Sequence, residues 1–295
     1  SKGGFVGRCA ASWAGVPAIV HTVHGFAFHE ASSPLEVWSY ASLERLAARW
    51  CDKIVTVSHF HRDWALRLGI GDVSKLMAIP NGIPESQATP RRPAQLVRSE
   101  LGLKQGEMML LATGRLAPQK GLECLLEATS AIAGQLGSVV KVFLAGSGPL
   151  EESLRRQSRH LAIDDQVAFL GFRSDIADLL GASDIVVLPS LREGLSIALL
   201  EAMAAGKAII TTGIGSNREV LEHDTSALLV PPGSVEALAD AILCLARDSD
   251  ARTRLGRSAR KRYLDSYTEE RMLDAYSALY DELYERNVVR TCDRS

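Results

Sequence analysis

The sequence predicts an α/β protein built on parallel, doubly wound sheets. Three observations carry that reading. Short runs of Val, Ile, Leu and Ala recur along the chain, and most are apolar without interruption, as in strands buried on both faces. Longer helical stretches alternate with them, the pattern of βαβ units. Several of the apolar runs end in a glycine-bearing loop that leads straight into a helix.

The strand-like runs are Ala18–Val23, Lys53–Ser58, Leu76–Ile79, Met108–Thr113, Val140–Ala145, Val167–Leu170, Ile185–Pro189, Ala208–Thr212 and Ala227–Val230. Between them the periodicity predicts helices over Pro34–Trp50, His59–Leu68, Leu122–Ala133, Pro149–His160, Ile197–Ala205 and Val235–Arg247. Thr268–Arg286 carries Met272, Leu273, Tyr276, Leu279, Tyr280 and Leu283 at helical spacing, so it reads as an amphipathic helix that must pack on something. The pattern breaks at Pro80–Pro93, where Pro80-Asn81-Gly82 is turn chemistry and Ser86–Pro93 is polar without periodicity. From about Leu96 to Ala246 the strand-like runs suffice for a whole Rossmann-like domain, whereas the stretch before the break holds half of one. The expected division is residues 1–85, a linker over 86–95, a domain over 96–265 and a terminal helix over 266–295.

Composition narrows the class. At 295 residues, 46% hydrophobic and 23% charged, the chain is neither disordered nor fibrous. Its formal charge of −2 gives no basic stripe and no reason to expect a nucleic-acid partner. No apolar run approaches the ~18–20 residues that span a bilayer. Cys9, Cys51, Cys124, Cys244 and Cys292 are odd in number and far apart, which argues against a disulfide framework or a thiolate zinc site and suits a reducing compartment. Ser1-Lys2-Gly3-Gly4 shows no signal peptide, so the expected location is cytoplasmic.

Four groups of residues could carry chemistry. Glu193 follows the strand-like run ending Leu188-Pro189-Ser190, and Glu201 lies eight residues later in the apolar helix Ile197–Ala205. A lone carboxylate there costs several kcal/mol unless partnered. Either an Arg or a backbone amide satisfies Glu201, or it accepts hydrogen bonds from ligand hydroxyls such as those of a ribose. The helix start at Ser196–Ala198 offers free amides to an anion. Arg115 and Lys120 sit in the loop after Met109–Gly114, where two cations can converge on a diphosphate. On spacing alone a solvated surface pair stands level with that reading.

Gly146-Ser147-Gly148-Pro149 supports a tight turn and close approach to a ligand, without the third glycine of a dinucleotide fingerprint. His21 and His24 lie three apart on a strand and face opposite ways, against a metal pair, while His59 and His61 open a helix as ordinary surface residues. Asp248-Ser249-Asp250 follows a helix without a strand before it and reads as solvated.

The order of these motifs is more specific than any of them. Thr113-Gly114-Arg115-Leu116 with Gln119-Lys120-Gly121, then Leu144–Pro149, Phe169-Leu170-Gly171-Phe172, Leu188-Pro189-Ser190 with Glu193-Gly194 and Glu201-Ala202-Met203-Ala204, and Leu228–Gly233 resemble the GT-B glycosyltransferases of family four. His21–Phe26, Val55–Ser58 and Ile79–Ile83 resemble the second half of that family's N-terminal domain. The resemblance implies a GT-B fold of two Rossmann-like lobes, with the front of the N-terminal lobe missing and Ser1–Arg8 starting a mid-domain helix.

It further implies a retaining, metal-independent transfer of sugar from a nucleotide-sugar to a polysaccharide, glycolipid or lipid-linked acceptor, with no cofactor. Arg115 and Lys120 would hold the donor diphosphate near Gly114, Gly146 and Gly148, and Glu201 the ribose. Glu193 would lie against the transferred sugar, and Gly194, Leu195, Ser196, Ile197 and Ala198 would present amides to the sugar and phosphate. Phe172 and Arg173 would meet the base, and His24 would reach the donor sugar from the other lobe. Contact with the inner face of the membrane would come through a lipid-linked acceptor. The competing reading is a nucleotide-sugar-binding fragment without turnover because its acceptor lobe is incomplete. An epimerase or phosphorylase on the same fold fits the motif order less well.

Overall fold

A computed structural model describes residues 2–29, 32–136 and 139–292, the side chains of Lys2 and of residues 287–292 excepted. Ser1, where the sequence places a helix start, and the side chain of Cys292 lie outside that description. The chain divides into two compact units, Ser1–Gly82 with Glu269–Ser295, and Ile83–Thr268.

The first unit holds a parallel sheet in the order β1 (Val20–Val23), β2 (Lys53–Thr56), β3 (Leu76–Ala78). Helices α1 (Lys2–Trp13), α2 (Pro34–Ala47) and α3 (His59–Arg67) accompany it. Ser33 starts α2 by accepting the Glu36 N–H at 3.3 Å, with Pro34 in the first turn, and Ser58 starts α3 through the His61 N–H at 3.2 Å. Successive β2 residues serve opposite faces: Ile54 packs with Val23, Ala41, Ala65 and Ile70, and Val55 with Ile79.

His61 corrects the sequence reading, which took it for a surface residue. It is 7% exposed because it stands four residues before Ala65, on the buried stripe of α3. Its Nδ1 lies 2.7 Å from the Ser58 hydroxyl, and its ring packs beside Phe26, Phe60 and Trp64.

The second unit is the larger. Strands β4 (Met108–Thr113), β5 (Val140–Ala145), β6 (Val167–Gly171), β7 (Ile185–Leu188), β8 (Ala208–Thr212) and β9 (Leu228–Val230) form one parallel sheet, ordered β6-β5-β4-β7-β8-β9. Helices α4 (Ala94–Glu100), α5 (Leu122–Leu136), α6 (Glu151–His160), α7 (Ile176–Ala182), α8 (Ile197–Ala204), α9 (Gly215–Val220), α10 (Val235–Arg247) and α11 (Ser249–Ser266) complete it. Its core centres on Leu110, Leu125, Leu144, Ile185, Ile210 and Ile242, all fully buried. Asp248, read as merely solvated, caps α11 by accepting the Ala251 N–H at 2.8 Å. That helix escapes the sequence pattern because it is rich in Arg and buries only a narrow stripe of Leu255, Gly256, Ala259 and Tyr263.

The polar stretch after Gly82 is fastened along the second unit. Ile83 forms a β-bridge with Thr268, and its carbonyl accepts the buried Tyr263 hydroxyl at 2.9 Å. A single 3-10 turn, Glu85–Gln87, follows, with Glu85 ion-paired to Arg260. Asp178 receives the backbone N–H groups of Arg91 and Arg92 at 2.6 and 3.0 Å and the Arg92 guanidinium at 2.9 Å. Desolvation opposes ionisation of this carboxyl, but those bonds outweigh it and hold its pKa below the usual range.

The last helix, α12 (Glu269–Cys292), returns to the first unit. Leu279 and Leu283 pack against Val55 and Ile79. The Tyr276 hydroxyl meets Thr22 at 3.2 Å, Glu282 pairs with Lys53 at 2.9 Å, and Arg286 pairs with Asp52. The amphipathic pattern thus finds its partner in this sheet.

Burial lowers the pKa of His61 to about 4, and burial together with the Arg8 charge lowers that of His21 to about 4. Unfolding returns both to about 6.5, so between those values the unfolded chain binds more protons and stability is lost as pH falls. All four tryptophans lie in the first unit, so their fluorescence reports that unit alone. Urea midpoints followed this way are expected to fall from pH 6.5 to pH 4, with a shallower fall in His61→Gln.

Candidate functional site

The order of the larger sheet reverses between β4 and β7, and in open parallel sheets the crevice at the carboxyl ends beside such a switch point is where ligands bind. The crevice here is lined by Gly114, Arg115, Lys120, Pro189 and Ser190.

Its floor is backbone packed on backbone. Gly114 takes φ of +129° and donates its N–H to Ala145 O at 3.0 Å; Gly146 takes φ of +151° and donates to Gly171 O at 2.7 Å. A Cβ on Gly146 would strike the Gly114 carbonyl, and one on Gly148 the backbone of Leu116. Across the switch point, a Cβ on Gly121 would strike the Pro189 carbonyl. Gly121 and Gly146 combine a positive φ with a closeness that only glycine meets, whereas Gly114 needs the torsion and Gly148 the closeness.

On this floor Lys120 Nζ donates to Glu193 Oε1 at 2.5 Å, and Ser190 Oγ donates to the same oxygen at 2.8 Å. Both charged side chains are largely shielded, at 18% and 15% exposure, so the pair is weakly screened. Arg115 is exposed beside them. The Glu193 loop hangs on β8 and α9. Thr211 donates to Leu188 O at 2.8 Å, Thr212 to Ser190 O, and Ser216 to Glu193 O at 3.2 Å. Asn217 Nδ2 ties Thr211 Oγ1 and Thr212 O, each at 3.0 Å.

Glu201, inside α8, is partly buried, and desolvation raises its carboxyl pKa while a bond from Gln87 lowers it. Gln87 Nε2 donates to Glu201 Oε1 at 2.7 Å. The partner is thus a side-chain amide from the polar stretch after Gly82, neither the Arg nor the backbone amide of the one sequence alternative, and the other alternative, ligand hydroxyls, stays open. Leu195 and Ser196 are buried at the entry to α8, and Gly194, Ile197 and Ala198 flank them. Phe172 is 82% exposed just beyond β6, while Arg173 is engaged by Asp175 at 2.6 Å and Glu100 at 3.5 Å. His24 is exposed at the carboxyl end of β1, in the other unit.

The structure therefore brings Lys120, Glu193 and Ser190 into one bonded group, with Arg115 beside it. Ser216, Asn217 and Gln87 carry no signal in the sequence, since only the fold sets them against the two glutamates, and Ser190 was legible only as part of the motif before Glu193. Among the described residues, no group of three or more His, Cys, Asp or Glu side chains is arranged to hold a metal ion.

Two Rossmann-like units, the larger with a switch point at the carboxyl ends of its strands, give the chain the GT-B fold. Residues 94–262 match the family described as glycosyl transferases group 1, and residues 1–82 a glycosyl transferase 4-like domain. The chain belongs to the glycosyl transferases group 1 family.

Among its relatives is the Escherichia coli UDP-Gal:alpha-D-GlcNAc-diphosphoundecaprenol alpha-1,3-galactosyltransferase, 29% identical over 286 residues that cover 96% of this chain and 74% of the relative. The N-acetyl-alpha-D-glucosaminyl L-malate synthase of Bacillus anthracis is 28% identical over 89% of this chain and 67% of its own length. The crystal structure of Anabaena HepE with UDP and glucose superposes with a TM-score of 0.84 at 23% identity, covering 95% of this chain and 75% of that one.

The glycine floor yields a test. Gly146→Ala must displace the Gly114 loop and so disorder the crevice. Nucleotide binding, measured by calorimetric titration, is expected to weaken at least about tenfold, alongside a loss of roughly 1–3 kcal/mol in stability.

Proposed function

We propose that this glycosyltransferase moves a sugar from a nucleoside-diphosphate sugar to a glycan or lipid-linked acceptor with retention at the anomeric carbon and without a catalytic metal. The observation that carries the proposal is the Lys120–Glu193 pair standing at the switch point with Arg115 beside it. When the bond from the anomeric carbon to the diphosphate oxygen breaks, negative charge gathers on the leaving group. Lys120 as a point charge and Arg115 as a planar fork are suited to stabilise it there.

Drawn onto the diphosphate, Lys120 gives up its bond to Glu193, whose carboxylate becomes available to the hydroxyls of the transferred sugar. Amides from Gly194 to Ala198 at the start of α8 favour the phosphate and sugar oxygens. Glu201 takes the ribose hydroxyls, and the exposed Phe172 offers the base an apolar face. Arg173, already held by Asp175 and Glu100, serves as a rim of that base site. His24 is assigned to the donor sugar.

UDP is the first nucleotide to test, since the Escherichia coli relative is named for UDP-Gal and HepE was crystallised with UDP. That relative's name also specifies a diphosphoundecaprenol acceptor, which supports a lipid-linked acceptor, and the proposal puts the reaction at the inner, cytoplasmic face of the membrane. Among the described residues no helix is long and apolar enough to cross a membrane.

Titration with UDP and GDP, and turnover of the corresponding sugars on lipid-linked and soluble glycan acceptors, test the proposal. Lys120→Ala is expected to lower turnover about 100-fold or more, as when one donor to a developing charge is removed. Glu201→Ala is expected to weaken nucleotide affinity about tenfold. The product linkage, read by proton NMR, is expected to keep the donor's anomeric configuration. Unchanged donor affinity and turnover in both variants would refute the site.

A further inference from the structure

We infer that Gln87 is a specificity-determining residue for the nucleotide ribose, holding the Glu201 carboxylate in position to accept hydrogen bonds from the 2′- and 3′-hydroxyls. The inference rests on the ribose role given to Glu201 above and adds to it a residue from outside every motif of the family resemblance.

Glu201 stands among apolar neighbours on α8, with Leu200 and Ala202 buried beside it. Gln87 supplies the one side-chain hydrogen bond that Glu201 makes among the described residues. A carboxylate offers two oxygens with about four acceptor sites between them. The 2.7 Å bond from Gln87 fills one site on Oε1 and leaves Oε2 open, enough for both hydroxyls of a cis-diol.

The bond does two things at once. It supports the charged form of the carboxylate, which is the form that accepts from hydroxyls, and it fixes the rotation of the carboxylate plane before any ligand arrives. Gln87 can do this because its own base is anchored. It ends the 3-10 turn Glu85–Gln87, which is tied down by the Glu85–Arg260 pair and by the Tyr263 hydroxyl on Ile83 O. Without the amide, a ribose would have to order Glu201 at the moment of binding. A nucleotide lacking one of the two hydroxyls makes less use of Glu201 and so loses less.

The ratio of affinities for a ribonucleotide and its 2′-deoxy counterpart is therefore the readout. A role confined to fastening the segment after Gly82 would leave that ratio unmoved. The test titrates the full chain with UDP and 2′-deoxy-UDP, and with GDP and 2′-deoxy-GDP, in wild type, Gln87→Met and Glu201→Gln. Methionine matches glutamine in length and removes the donor, and Gln87 is exposed, so the variant is expected to fold with an unchanged melting temperature.

The wild type should prefer the ribonucleotide, and Glu201→Gln should abolish most of that preference. Gln87→Met should cut it about threefold or more, with 2′-deoxy affinity held within about twofold, as for one hydrogen bond to a charged group. A wild-type ratio retained in Gln87→Met while Glu201→Gln loses it would overturn the role of Gln87 alone. So would an equal fall for both nucleotides. A wild type without preference would overturn the ribose role of Glu201, and this inference with it.

Discussion

Backbone lying directly on backbone at the carboxyl ends of four neighbouring strands is the constraint from which the site follows. The end of β6 at Gly171, the β5 loop at Gly146, the β4 loop at Gly114 and Gly121, and the β7 loop at Pro189 meet through amide–carbonyl bonds or through gaps that admit no Cβ. Side chains are thereby excluded from the floor, and the charged groups must rise from the loop rims. That is where Arg115, Lys120 and Glu193 stand. The same closeness fixes how far apart the rims lie, which is why Lys120 from the β4 loop reaches Glu193 from the β7 loop without a mediating residue.

Beneath Glu193 the structure spends buried polar groups freely. Ser190, Thr211, Thr212, Ser216 and Asn217 are each less than 5% exposed and joined by hydrogen bonds to the loop or to one another. Burying hydroxyls and amides gains little net stability, but a network this closely bonded admits few alternative arrangements, even with Asn217 Oδ1 left without a partner. The exchange proposed for Glu193, from an ammonium to a sugar, is well served by a loop whose backbone is held in this way.

The sheets were legible because parallel strands buried on both faces announce themselves as unbroken apolar runs; all nine predicted runs contain or overlap a strand. Helices with a wide apolar stripe, such as α5 and α10, were equally plain. Helices α4, α7 and α9 are too short to show a period, and the charge of α11 hides its narrow stripe. His61 was misplaced because a polar side chain on a buried stripe looks the same in sequence as one on the surface. In the site, Gly114, Arg115, Lys120 and Glu193 stood out as residue types in the loops after β4 and β7, and Glu201 as a carboxylate within the apolar helix α8. Gln87 and Glu201 are 114 positions apart, and no local pattern links them. The polar run that contains Gln87 reads as a connector, since what distinguishes it is the surface it lies on.

The Lys120–Glu193 pair also sets what an incoming anion must exchange with. A cation at the mouth of a βα loop would ordinarily attract any passing phosphate, and stray anions would then occupy the site. Here the first counter-ion is built in, and a lone phosphate must displace a carboxylate that is already bonded and shielded. A ligand bearing hydroxyls as well as phosphates offers Glu193 replacement partners as it takes Lys120, so the exchange conserves hydrogen bonds on both sides. In the reaction proposed above, discrimination against simple anions thus precedes recognition of base or sugar, and the bonded pair enforces it.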